Sequence, residues 1–405
     1  MEARRVLLVL PWGLRHVGGV NQVVEHLGMG LNALDGWQAR LLVTGPETAE
    51  DRAFVSPLEL VTLPLPGPFD GSSRLRAAVS FVVRLPGRLW ALRGILARGD
   101  FGIVNVHFPS LAALHFVVLR WLAHASPSLV LSFHLTDAVH ADATSGLERR
   151  LWHLLLGAAD AIVLPTGDLA VPLERIHPGI SAKVRVIANG VDVHRMTDPT
   201  PPPAPLSLAL EGRRVLLSVG AFQPRKGHGD VMRALVQLAP RFPGLALVIV
   251  GTDHAYRSEL ERLRDDLGLA RDVFFHWNVP HERLPAFYQR AELFVLATAA
   301  ETFCIAILEA GAAGVPVITT HAPGVVEVVT DGETALMCPV GDVKALATAI
   351  ASLLEHPDEA QALAGRLGEK VRRGLTWTHH RARYTDLYRS LKPGPARDGA
   401  PSASA

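Results

Sequence analysis

The chain has 405 residues and only two cysteines, Cys304 and Cys338. That excludes a disulfide scaffold and any cysteine-based zinc site, and it fits a reducing compartment. Excess charge is missing too: 40 basic side chains face 39 acidic ones, for a net charge of +1. A dedicated nucleic-acid binder would carry a basic surplus, so nucleic acid is not an expected partner. Lysine is scarce, with five residues, and arginine supplies the remaining cations, which reads as genomic base composition. No apolar run approaches the 18 or so residues of a spanning helix. The N-terminal apolar run Val6–Leu10 ends at Pro11, too short for a signal peptide. The expected location is the cytoplasm.

What is present is core-forming material, 49% hydrophobic against 20% charged residues, enough for two or three domains. Short continuous runs of Val, Ile and Leu (6–10, 39–43, 103–106, 129–133, 161–164, 184–187) alternate with helix-length segments such as 20–34, 75–97 and 111–124. Continuous rather than alternating apolar runs are how strands buried on both faces of a parallel sheet read. Five prolines in the ten residues Thr197–Leu206 then form a stiff linker. The alternation restarts beyond it, with strands expected at 215–219, 245–250, 273–276, 293–296 and 315–319. Helices are expected at 227–238, 256–267, 284–290, 302–313 and 343–355. Two such arrays in series predict two doubly wound Rossmann-like domains. The boundaries are 1–196, a linker 197–212, a second domain 213–375, a last helix 376–392 and a disordered tail 393–405.

Three features carry chemistry. Glu301 and Glu309 are separated by seven residues after a strand. On a helix starting at Thr302 they would stand about 12 Å apart along the axis, with free N–H groups of residues 302–305 near Glu301 to attract an anion. Carboxylates accept hydrogen bonds from vicinal hydroxyl pairs, so the segment suits a sugar nucleotide. Read alone, it is equally two surface glutamates. Next, Gly220 follows an expected strand and leads to Arg225-Lys226-Gly227. Two cations at a strand's C-terminal end can neutralise a diphosphate; an isolated Arg-Lys is more often a solvated turn. Last, residues 72–99 hold six arginines and no acidic residue, interleaved with apolar side chains. That pattern fits either a domain helix with exposed arginines or a basic amphipathic segment on anionic lipid. Pro86-Gly87 is expected to interrupt it.

Taken jointly, the Glu301-x7-Glu309 segment, Arg225-Lys226-Gly227, Asn189-Gly190-Val191-Asp192 and the stretch Glu282–Tyr288 resemble, in order and spacing, the family 4 retaining glycosyltransferases of glycosyltransferase group 1. The resemblance covers about Arg4 to Leu391. It implies the GT-B fold, in which two Rossmann-like domains face across a cleft and the last helix crosses back to the first domain. It implies transfer of a hexose from a UDP- or GDP-sugar to a hydroxyl acceptor, with retention by front-side attack. It also implies residue roles: Glu301 on the donor sugar, Glu309 on the ribose, Arg225 and Lys226 on the diphosphate. Gly220 and the Phe303-Cys304-Ile305 backbone would complete the donor contacts, with Gly18, Gly19 and His134 contributed by the first domain. His16, His107 and Asp137 are candidate acceptor contacts. No Asp-x-Asp pair sits at a strand end, so no metal or other cofactor is expected.

Two departures stand out. Cys304 occupies a usual glycine position, narrowing the pocket, and is expected as a partly accessible thiol of lowered pKa at a helix N-terminus. His276-Trp277 replace a glycine near the base-binding region. Rival readings are a GT-B sugar-nucleotide epimerase and a degenerate protein that only binds.

Overall fold

The structure is a computed structural model that describes residues 4–14, 18–46, 56–71, 73–122, 127–198, 209–252 and 255–391. His16, most of the proline-rich linker and the tail 393–405 lie outside the described residues.

The chain divides into two compact units, residues 1–188 with 380–405, and residues 189–379. The first unit holds a seven-stranded sheet of β1 (Arg4–Leu10), β2 (Trp37–Val43), β3 (Leu60–Thr62), β4 (Ile103–His107), β5 (Ser128–Ser132), β6 (Ala161–Leu164) and β7 (Val184–Val186). Its order is β3-β2-β1-β4-β5-β6-β7, all parallel. In β1, Val6, Leu8 and Leu10 belong to one core while Leu7 and Val9 belong to the other. Both faces of the strand are therefore covered, which is why its sequence is continuously apolar.

The second unit repeats the plan with β8 (Val215–Val219), β9 (Ala246–Gly251), β10 (Val273–Trp277), β11 (Leu293–Leu296), β12 (Val317–Thr320) and β13 (Leu336–Cys338). The order is β10-β9-β8-β11-β12-β13, again parallel throughout. Strand order reverses direction between β1 and β4 and between β8 and β11. Ligands of open α/β sheets bind at such switch points, outside the C-terminal strand ends.

The long helix Arg74–Gly99 is continuous through Pro86, contrary to the expected break. Its inner face, with Phe81, Leu85, Leu89, Leu92 and Ile95, packs on the first unit's core, so packing holds the helix together where Pro removes one backbone bond. In the final helix, Trp377–Ser390, Tyr384 and Tyr388 are buried in the first unit. There Asn105 donates to the Tyr388 hydroxyl (2.8 Å) and Ser132 contacts the Tyr384 hydroxyl (3.1 Å). Buried polar groups of β4 and β5 are thereby satisfied.

Candidate functional site

In the second unit, β8 and β11 are neighbours, and the loops beyond their C-terminal ends bring Gly220–Gly227 against Thr298–Ile305. The chain leaves β8 at Gly220, passes the buried Phe222 and makes a single 3-10 turn, Pro224–Lys226. Gly227 ends that turn at φ 69°, and a Cβ there would overlap the Ala297 carbonyl oxygen, so only glycine lets the two loops approach this closely. Main-chain bonds lock them: the Ala299 N–H and the Thr298 hydroxyl both donate to the Arg225 carbonyl, at 2.8 and 2.9 Å.

The side chains follow. The Lys226 ammonium lies 2.5 Å from Glu301 Oε1, with both side chains nearly buried, 13% and 6% exposed. The Arg225 guanidinium is 3.9 Å from the other Glu301 oxygen and donates to the Ala300 carbonyl at 3.0 Å. So the two cations and the first glutamate, far apart in sequence, form one cluster. Below them His228 bridges the Ser218 hydroxyl (3.1 Å) and the Gly220 carbonyl (3.2 Å). Burial first, with Lys226 adding to it, lowers His228 to a pKa of about 4, leaving a neutral ring beneath a cationic turn.

The second glutamate departs from the expected geometry. The helix starts at Ile305, not Thr302, and runs to Ala312. Glu301 therefore stands four residues before the helix instead of at its mouth, and the spacing of about 12 Å along one axis does not apply. The reason is Cys304, whose φ of 52° and ψ of 70° place it in the left-handed region at the N-cap. The open first-turn amides therefore begin at Ile305. Glu309 is 3% exposed. Its Oε1 accepts from His281 Nε2 at 2.9 Å and its Oε2 from the Tyr288 hydroxyl at 2.7 Å. His281 and Arg195, whose Nη1 meets His281 Nδ1 at 2.8 Å, were not among the expected site residues; nor was Tyr288 as a Glu309 partner. No local pattern in the sequence points to these long-range contacts.

Cys304 overturns its expectation. It is 7% exposed, and burial, reinforced by the Glu301 charge, raises its pKa above the ordinary thiol value. The helix N-terminus and Lys226 do not outweigh desolvation, so the thiol is protonated and shielded. Phe303 is buried beside it, and Ile305 is half-buried. At the base-side departure, Trp277 is 45% exposed with the Arg257 guanidinium 4.4 Å from its ring centroid, and the His276 ring lies 5.3 Å from that of Phe287.

In the first unit, Gly18 is the N-cap and Gly19 the first residue of the helix Gly19–Asn32. Gly18 is extended (φ 172°) and a Cβ would meet nothing within 4 Å, so packing does not demand glycine there. His134 follows β5. Its backbone N–H donates to both Asp137 oxygens at 2.9 Å, and its Nε2 lies 3.3 Å from His107 Nδ1. The next residue, Leu135, has φ 97° and ψ −72°, a strained conformation for a branched side chain. Burial, then the neighbouring His380, lowers His134 to a pKa of about 3. Burial raises Asp137 to about 7 against the backbone N–H groups that favour its charge. His134, His107 and Asp137 thus form one buried polar cluster.

Comparison with known families decides the classification. The family "Glycosyltransferase Family 4" matches residues 17–195, and "Glycosyl transferases group 1" matches residues 207–372. The chain belongs to the group 1, family 4 glycosyltransferases. Its fold is the GT-B class of two parallel-sheet α/β units. It is similar to the GDP-mannose-dependent alpha-(1-6)-phosphatidylinositol monomannoside mannosyltransferase of Mycolicibacterium smegmatis, 36% identical over 46% of this chain and 52% of that protein. It is also similar to the phosphatidyl-myo-inositol mannosyltransferase of the same organism, 27% identical over 96% of this chain and 94% of the relative. The aligned share of these relatives therefore runs from about half to nearly all of their length. Among solved structures, an Anabaena protein in complex with UDP and glucose superposes with a TM-score of 0.74 at 17% identity, covering 96% of this chain and 100% of that one. In this glycosyltransferase Arg225, Lys226 and Glu301 are gathered beyond the C-terminal ends of β8 and β11.

Proposed function

We propose that the protein is a retaining hexosyltransferase that uses a UDP- or GDP-sugar and a hydroxyl acceptor. The observation that carries this reading is the cluster of Arg225, Lys226 and Glu301 beside the first turn of the helix Ile305–Ala312. Arg225 and Lys226 offset the charge of the departing diphosphate, as preorganised cations do most effectively in a water-poor site. Glu301 accepts from hydroxyls of the donor sugar, and Glu309 from those of the ribose. The reading keeps Gly18, Gly19 and His134 as ligand contacts. In the front-side step the acceptor oxygen bonds to the anomeric carbon as the carbon–phosphate oxygen bond breaks. The released phosphate takes the acceptor's proton. No metal enters this scheme.

A relative named for GDP-mannose and another named for phosphatidyl-myo-inositol make GDP-mannose and inositol-type hydroxyls the first pair to test. The test is a panel of UDP- and GDP-sugars with and without acceptor, with product configuration read by NMR. An acceptor-dependent glycoside that keeps the donor's anomeric configuration is expected. Inverted product would overturn retention, an epimerised donor formed without acceptor would establish the epimerase reading, and binding without turnover would establish the binding-only one.

The partner reading extends to anionic membrane. No helix among the described residues is long and apolar enough to cross a membrane. The helix Arg74–Gly99 nevertheless exposes Leu75 (77%), Val79, Val82, Val83 and Trp90 (81%). These residues form one outward stripe among six arginines, suited to lying on acidic headgroups at the cytoplasmic face. Cosedimentation with phosphatidylglycerol vesicles, lost in Trp90→Ser with Val83→Ser and absent with phosphatidylcholine, tests it; binding that survives the substitutions refutes it.

A further inference from the structure

The Asn189-Gly190-Val191-Asp192 segment reads in sequence as a turn, but it stands at the head of a chain of contacts that ends on Glu309. Gly190 is required: a Cβ would overlap the backbone of Thr376 and Trp377. Val191 is buried, and its N–H donates to the Leu375 carbonyl at 3.0 Å. Asp192 is thereby placed as N-cap of the short helix Val193–Thr197, its Oδ1 accepting from the Arg195 N–H at 3.1 Å. Arg195 then reaches His281 Nδ1 at 2.8 Å.

The direction of each bond follows from chemistry. A guanidinium has no acceptor, so Arg195 donates and Nδ1 accepts. Nε2 is then the nitrogen that donates to Glu309 Oε1, at 2.9 Å. The Tyr288 hydroxyl donates to Oε2 from the other side, at 2.7 Å; burial, then the Glu309 charge, keeps its phenol well above its ordinary pKa and so protonated. Each Glu309 oxygen spends one lone pair on the protein and retains another.

We propose that Arg195 and His281 are positioning residues for Glu309. Arg195 selects the histidine tautomer, and His281 with Tyr288 fixes the carboxylate so that its remaining lone pairs face the donor's vicinal ribose hydroxyls. This rests on the reading of Glu309 as the ribose contact. The same logic governs histidines held behind metal or catalytic groups, where the partner of one ring nitrogen decides what the other does.

The test is calorimetric titration with GDP and UDP and with their 2′,3′-dideoxy forms. The wild-type protein is expected to prefer the ribose form of its nucleotide by roughly ten-fold, the worth of a hydrogen bond to a charged group. Glu309→Gln should remove most of that preference. Arg195→Met and His281→Ala should bring it to within about three-fold of unity, while His281→Gln, which keeps a donor near Nε2, should restore it. A wild-type protein with no preference, or one that binds neither nucleotide, overturns the Glu309 reading and the relay with it. A preference lost in Glu309→Gln but intact in Arg195→Met and His281→Ala overturns the relay alone. If His281→Ala melts early, Arg195→Met, which leaves the imidazole in place, still decides the matter. A lower melting temperature with an unchanged preference would mean that the contacts are merely structural.

Discussion

Replacing Lys226 with methionine leaves Glu301 buried without its nearest cation. Glu301 is buried, and the lost contact is a 2.5 Å ion pair. Breaking a buried pair by removing one partner costs about 3–5 kcal/mol, because an uncompensated charge remains. Arg225 stays 3.9 Å away and the methionine retains the aliphatic packing, so the low end, about 3 kcal/mol, is expected. For a unit of this size that lowers the melting temperature by roughly 6–12 °C. Adding Glu301→Gln removes the stranded charge, so the double variant should recover most of the stability. Activity should not return, since both the diphosphate and sugar contacts are gone. The assay is urea unfolding of wild type, both single variants and the double variant, combined as a cycle. Additive effects, or a Lys226→Met variant within about 0.5 kcal/mol of wild type, would refute the buried pair.

Cys304 should resist iodoacetamide in the native protein and react in urea, and Cys304→Gly should stay active because glycine adopts a φ of 52° without strain; rapid native labelling of Cys304, located by mass spectrometry, would contradict its burial. Acidification should destabilise the protein. Burial takes His134 to about 3 and His228 and His380 to about 4, from 6.5. Between those values and 6.5 the unfolded chain binds protons that the folded chain does not, so stability falls as pH drops through this window. Asp137, raised from 3.8 to about 7, contributes stability at low pH that is lost as pH rises, but it is one group against three. A melting temperature at about pH 5 equal to or above that at neutral pH would show the histidines are not held neutral. Transfer activity should survive EDTA; loss rescued by Mg²⁺ or Mn²⁺ would bring a metal into the scheme. Gly227→Ala should cost more stability than Gly18→Ala, because only the former collides with backbone; equal melting temperatures would contradict that approach of the two loops.

The two-sheet architecture was legible in the residues because strands covered on both faces must be apolar throughout, and β6, β8 and β11 occupy the expected residues 161–164, 215–219 and 293–296. β3 and β13 were not legible. β3 is a three-residue strand with no buried residue, and β13, equally short, buries only Cys338. The residue types of the candidate site could be picked out as well, since glycine, paired cations and paired carboxylates are chemical requirements visible in any order of folding. Their arrangement was not. A glutamate partnered by residues 28 and 21 positions away, with an arginine behind it a further 86 away, depends on how the loops return to one sheet edge, and no local rule encodes that. Cys304 marks the boundary most clearly. By residue type it promised a reactive thiol opening a helix. In the fold its backbone takes the left-handed region, the helix starts at Ile305, three residues beyond the expected Thr302, and the sulfur is buried, so desolvation overrides the helix N-terminus.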